Sequence, residues 1–157
     1  MTASRSEQRS GSMCSIARSL DVLGDRWTLL IIREAFYGVT RFADFRAVLG
    51  VAPDVLTERL HRLVGAGVLE RRPYREQGSR PRHDYHLTAA GRELRVVLGA
   101  LQQWGDAYRP APGGPPVVRR TDANGSEVRV AFVDDADRVV PVEDVRFVRT
   151  ADAPPGS

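Results

Sequence analysis

Five arginines fall within residues 68–88, VLERRPYREQGSRPRHDYHLT: Arg71, Arg72, Arg75, Arg80 and Arg82. A guanidinium is a planar fork of donors that matches phosphate oxygens and the major-groove edge of guanine. Their chemistry is the binding of a polyanion, set against the plainer alternative of a solvated surface. Just upstream, PDVLTERLHRLVGAG carries Thr57, Arg59, His61 and Arg62 beside Asp54 and Glu58. Short or branched polar groups in such a pattern can read base edges. The two acids repel phosphates, yet a carboxylate can accept from a cytosine amine, cap a helix or pair with Arg59 or Arg62. Arg59 can equally brace its helix against the backbone.

Other reactive side chains form no further constellation. Cys14 is the one cysteine and stands where a helix begins, a setting for a redox-sensing thiol and equally for a small side chain with no task. His83 and His86 point to opposite faces of a strand, and neither they nor His61 meet a partner that would complete a metal site. No nucleophile stands beside a base, and no glycine-rich phosphate cradle is present. The expectation is a chain without catalytic residues, metal or cofactor.

Charge supports a binding role. The net charge is +3, but residues 1–110 hold 17 arginines against 12 acids and residues 111–157 hold 6 against 8. The excess is sharpest over 59–95, with 9 arginines against 4 acids, a local patch suited to nucleic acid. Every basic residue is arginine, which we read mainly as coding bias. The longest apolar run, residues 27–32, is far too short to span a bilayer, and the polar N-terminus lacks a signal core. A soluble, cytoplasmic protein is expected.

The elements that must hold these residues follow from apolar spacing. Residues 1–12 are polar and read as disordered. A first helix runs from Cys14 to Leu23, with Gly24 as its stop. Asp25 is the N-cap of a second, RWTLLIIREAFYG, apolar nearly all round and so central to a helical core. A third, FADFRAVLG, turns its Phe42, Phe45 and Leu49 inward. A fourth starts at Pro53 and buries Leu56, Leu60 and Leu63 at i, i+4 and i+7. Gly67 fits the left-handed position past its end. The arginine-rich hairpin follows, with EQGSRP as its tip. Thr88 then caps one last helix of about 20 residues, on which Leu94, Val97, Leu98, Leu101 and Trp104 form a continuous stripe. That is more apolar surface than a small domain needs, and we read it as a dimer face.

Residues 109–116, RPAPGGPP, are a linker by composition, which bounds a main domain over 13–108. Residues 117–149 read as a small β appendage. Asn124-Gly125 signals a hairpin, DDAD a second turn, and VEDVRFV a third short strand; 150–157 is a loose tail. The fold class is mainly α (α+β): a winged helix-turn-helix with a long C-terminal dimerisation helix and a β appendage. That plan fits DNA.

In order and spacing, the residues that carry a family likeness are Cys14 and its helix, Leu20-Asp21-Val22-Leu23-Gly24-Asp25-Arg26-Trp27, and Arg41-Phe42. They continue through Leu56-Thr57, Arg59-Leu60, Leu63, Gly67-Val68-Leu69, Tyr74, Tyr85, Leu87-Thr88, Gly91 and Trp104-Gly105. Over roughly 90 residues the chain resembles the HxlR family of winged helix-turn-helix transcriptional regulators, relatives of MarR. The resemblance implies a homodimer joined through its first and last helices, with two recognition helices on a pseudo-palindromic operator in double-stranded DNA. It also implies control by an N-terminal cysteine, here Cys14, or by a small-molecule effector. Some relatives look as if they carry Cys-x-x-Cys pairs in a C-terminal ribbon, where this chain has Asp134-Asp135-Ala136-Asp137, which argues against zinc. The rival reading is a winged-helix module that binds a protein or ligand without reading DNA, and Asp54 and Glu58 favour it.

Overall fold

The computed structural model describes residues 14–74 and 82–150. The expected disordered N-terminus, the hairpin tip with Arg75 and Arg80, and the tail beyond Thr150 lie outside the described residues. The chain divides into two compact units, one within residues 14–94 and one within 95–150.

The first unit contains α1 (Ser15–Leu23), α2 (Arg26–Phe36), α3 (Phe42–Leu49), α4 (Pro53–Gly65), β1 (Leu69–Tyr74), β2 (Arg82–Leu87) and a short α5 (Ala89–Glu93). Helix α2 is central and packs against α1, α3, α4 and β2. It opens as expected, with the Asp25 carboxylate accepting from the Trp27 amide at 2.9 Å. Its burial is less uniform than its apolar sequence implies. Thr28, Ile31, Ile32 and Glu34 are buried, while Trp27, Leu29 and Leu30 are half-buried. The core joins Ile31 and Ile32 to Phe45, Leu56, Leu60, Leu63 and Leu69, all almost fully enclosed. Each such side chain contributes about 1.5–3 kcal/mol by leaving water.

β1 and β2 pair antiparallel from Leu69↔Leu87 to Tyr74↔Arg82. A third piece of backbone extends this sheet: Arg41 bridges to Asp84, and the Tyr85 amide donates to the Thr40 carbonyl at 2.8 Å. Gly67 has the left-handed φ, 70°, that lets the chain leave α4 directly into β1.

The single last helix expected from the sequence is two. Thr88 does cap its start, accepting from the Gly91 amide at 3.0 Å while its hydroxyl donates to the Gly67 carbonyl. At Leu94 the ladder tightens to a bond with the Gly91 carbonyl, ψ falls to −7°, and α5 ends. Glycine at position 91, in place of the glutamate of a capping box, has a packing cause. A Cβ there would lie 2.1 Å from the Val68 carbonyl oxygen.

The second unit is built on α6 (Arg95–Tyr108), with β3 (Phe132–Val133) and β4 (Val139–Val140) beyond it. Contacts therefore group the last helix with the residues that follow the proline-rich stretch. Gly99 is its buried residue, with a Val130 methyl 3.0 Å from where a Cβ would sit. The Gln103 amide accepts from the Val130 N–H at 3.0 Å and donates to the Val130 carbonyl at 3.1 Å. Gln102 donates to the Val117 carbonyl at 2.6 Å, and Arg119 faces Asp106 at 3.7 Å.

Within the appendage, the Asn124-Gly125 turn forms but holds only one bridge, Arg120↔Glu127, instead of two full strands. The paired strands lie around DDAD, where Asp134 closes the turn on Arg138. The expected third strand is absent: Val142–Asp144 is a 3-10 turn after Pro141, and 145–150 makes no ladder. Pro141 has no N–H to continue β4, and the Asp144 amide bonds back to its carbonyl at 3.0 Å.

Candidate nucleic-acid interface

α3 and α4 form the helix pair, and α4 presents the face opposite its leucine stripe to solvent. Asp54, Thr57, Glu58 and His61 recur there at i, i+3, i+4 and i+7 and are all exposed. The Thr57 hydroxyl donates to the Pro53 carbonyl at 2.7 Å. It is thus left with lone pairs and a methyl to offer a base edge. His61 is exposed on the same face. Asp54 lies in the first turn, where the helix dipole favours an acid without any ligand.

The two arginines of α4 are held back against the protein. Arg59 is 16% exposed, with Nε 3.0 Å from one Asp25 oxygen and Nη2 donating to the other at 3.1 Å. Its Nη1 donates to Glu58 at 2.7 Å. This guanidinium, more than the Trp27 amide, holds the Asp25 carboxyl below its usual range, against an opposing effect of burial. The same pairing raises Arg59. Arg59 therefore fastens α4 to the start of α2. Arg62 is 52% exposed and donates to the Asp21 carbonyl at 2.9 Å. Its remaining donors face outward, 4.0 Å from Glu58 at one nitrogen. Glu58 is thus compensated by two arginines on its own helix.

In the hairpin, Arg72 pairs with Glu70, whereas Arg71 donates to His83 Nδ1 at 3.0 Å. Arg82 is exposed at the start of β2. His86 meets Asp84 at 3.0 Å on the other face. Arg41 enters the sequence pattern only through the Arg41-Phe42 pair of the family likeness. Its guanidinium lies over the Tyr74 ring, 4.7 Å from the centroid. Local pattern carries no sign of this, because Arg41 reaches the hairpin through its bridge to Asp84.

Cys14 is the half-buried N-cap of α1, extended at φ −71°, ψ 118°. Of the proposed dimer stripe, Val97, Leu101 and Trp104 are exposed on α6, while Leu94 and Leu98 are half-buried and Leu94 precedes the helix. The stripe also runs one turn further than expected: exposed Tyr108 stacks at a tilt on Trp104, centroids 5.5 Å apart. Extending the i, i+4 spacing beyond Trp104 would have found it.

A helix pair followed by an arginine-bearing antiparallel hairpin defines a winged helix-turn-helix protein. The HxlR-like helix-turn-helix family model matches residues 22–112, and the chain belongs to that family. An uncharacterised HTH-type transcriptional regulator of Mycobacterium tuberculosis is 47% identical over 106 residues, 68% of this chain. The match spans 66% of that relative, just under two thirds of its length. Among solved structures, PA1607, described as a candidate transcription factor, is similar at TM-score 0.78 and 38% identity, covering 91% of this chain and 99% of its own. The redox regulator HypR in its oxidised form is 28% identical at TM-score 0.56, covering 62% of this chain and all of its own.

Proposed function

We propose that this chain is a DNA-binding transcriptional regulator, not an enzyme, acting as a homodimer on a pseudo-palindromic operator in double-stranded DNA. The observation that carries the reading is the exposed polar face of α4, Thr57 and His61 above all, directly followed by the arginine-bearing wing. α4 enters the major groove, and the wing, with Arg82 and the tip arginines Arg75 and Arg80, lies on the adjacent minor groove or backbone. Arg62 reads or positions with its outward donors, while Arg59 holds the helix in place.

The exposed apolar residues of α6, with Ile16 and Leu20 exposed on α1, support dimerisation. Two recognition helices then meet half-sites about 34–36 Å apart. Control falls to oxidation of Cys14, by analogy with HypR, or to a small-molecule effector. Such a protein works in the cytoplasm, and no helix among the described residues is long and apolar enough to cross a membrane.

The rival reading, a protein- or ligand-binding module, rests on Asp54 and Glu58. Pairing of Glu58 with Arg59 and Arg62 weakens it. The test is selection of bound duplex from a random pool, with and without oxidant, followed by affinity against salt. A consensus with two-fold symmetry and affinity falling steeply with salt is expected. No enrichment, and no retention of random duplex at low salt, would favour the rival.

A further inference from the structure

The appendage encloses none of its own side chains: no residue of 117–149 is buried. Beyond β4 the 3-10 turn ends on Val145, whose amide donates to the Val142 carbonyl at 3.2 Å and whose backbone is extended, φ −90°, ψ 128°. The chain then runs through Arg146, Phe147, Val148 and Arg149 without pairing to a strand. Phe147 is 89% exposed, nearly as open as in an unfolded chain. A β-rich run that carries a bare aromatic is suited to lying on another surface. Its pattern has a complement in the same appendage. In the β3–β4 ribbon Val133 pairs with Val139, so both side chains share one face, 58% and 54% exposed. The turn beyond them carries Asp135 and Asp137, both exposed and without an ion pair among the described residues, since Arg138 goes to Asp134. Arg149 is likewise exposed and unpaired among the described residues. In an extended segment Phe147 and Arg149 lie on one side, a step of about 6.6 Å apart. Valines then acids on the ribbon match phenylalanine then arginine on the arm, at the same two-residue step. Within one chain the two halves do not meet, because Phe147 and both valines stay open.

We propose that the 145–149 arm of one copy packs on the Val133–Val139 face of a second copy, which returns its own arm. A self-complementary surface of this kind closes about a two-fold axis. The ribbon enters from Val130, held against Gly99 and Gln103 on the side of α6 away from Val97, Leu101, Trp104 and Tyr108. The exchange thus uses a surface that the stripe leaves free, and it joins dimers in pairs where the stripe joins chains. Only that count of copies rests on the proposed dimer; the contact itself does not. Two phenylalanines at about 150–250 Å² each, with their flanks, fall short of the roughly 1,200 Å² of a stable interface. The association is therefore weak and belongs to high local concentration.

Full-length wild type, Phe147→Glu, Arg149→Glu and the double variant Arg149→Glu/Asp135→Arg are sedimented over rising concentration. Wild type is expected to pass from dimer to tetramer. Phe147→Glu is expected to weaken that second step by about tenfold for each phenylalanine left in water. Arg149→Glu is expected to weaken it less, and Asp135→Arg in the same chain to restore it. In a Cys14→Ser background, Arg149→Cys chains mixed with Asp135→Cys chains are expected to give the mixed product with a short bis-maleimide. Wild type that runs from monomer to dimer, with the dimer lost in Phe147→Glu but kept in Trp104→Glu, supports the exchange and sinks the stripe. Wild type that never exceeds the dimer, with Phe147→Glu identical and no mixed product, overturns the exchange and leaves the stripe standing. Cross-linking confined to a single chain that carries both cysteines puts the arm on its own ribbon and also overturns the exchange. Unchanged sedimentation of both single variants, with a flatter salt slope on random duplex, makes the arm a nucleic-acid contact instead. Phe147 has no packing to lose within one chain, so an unchanged Tm is the folding control. Should Phe147→Glu fail to fold, the cross-link, which keeps Phe147, carries the test.

Discussion

At the residue scale, a single carboxylate decides how firmly α4 is held. Asp25 caps α2 and pairs with Arg59 of α4, so one side chain fastens both helices. Its folded-state pKa is depressed, chiefly by Arg59. The stability it contributes is therefore full above the unfolded value, 3.8, and is lost as pH falls through the lower folded value. Asp25→Asn keeps a good N-cap but removes the pair. We expect it to cost about 1 kcal/mol at neutral pH, the upper end for a partly exposed ion pair. Thermal melts from pH 7 down to pH 3 should show the gap between variant and wild type closing in acid. A gap that stays constant would remove the ion pair as its cause. Thr57 and His61 were legible as candidate readers because their spacing alone sets them on one face. The restraint on Arg59 was only half legible, since Asp25 lies 34 residues away.

At the element scale, α1 to α4 and the wing strands could be read because each has its own punctuation: Gly24, Asp25, Pro53 and Gly67 mark ends within the local chain. The break at Leu94 could not. Its cause is tertiary, as Thr88 and Gly91 knot the start of α5 onto the Gly67 and Val68 carbonyls. In the appendage, an asparagine–glycine pair promised a hairpin, but a turn sets only its own geometry, and the flanking residues gain a single bridge. Gly91→Ala tests the knot. The added methyl must push the Val68 carbonyl away, so the substitution is expected to destabilise by about 1–3 kcal/mol, as overpacking does. That corresponds to a fall in Tm on the order of 4–8 °C per kcal/mol for a domain of this size. An unchanged Tm would mean that the loop between α4 and β1 yields freely.

At the scale of the whole molecule, charge is divided between the units, whereas exposed apolar residues occur in both, Ile16 and Leu20 on α1 among them. Arginine excess belongs to the winged unit, and the exposed stripe of Val97, Leu101, Trp104 and Tyr108 to α6. Trp104→Glu would place a charge in the middle of that stripe. On the proposed dimeric reading, sedimentation is expected to show a dimer for wild type and a monomer for the variant at the same concentration, with weaker binding to a two-fold symmetric duplex because the half-sites are then engaged separately. A dimer that survives the substitution would move the interface elsewhere.

The opposite side of α6 has a different consequence. Gln103 offers its amide to both the N–H and the carbonyl of Val130, the pair of bonds a neighbouring peptide unit would make. A helical side chain thus stands in for a missing strand. With both backbone groups of Val130 taken, a foreign chain finds no template there on which to extend a sheet, and the short ribbons of the appendage are shielded at this point from edge-to-edge aggregation.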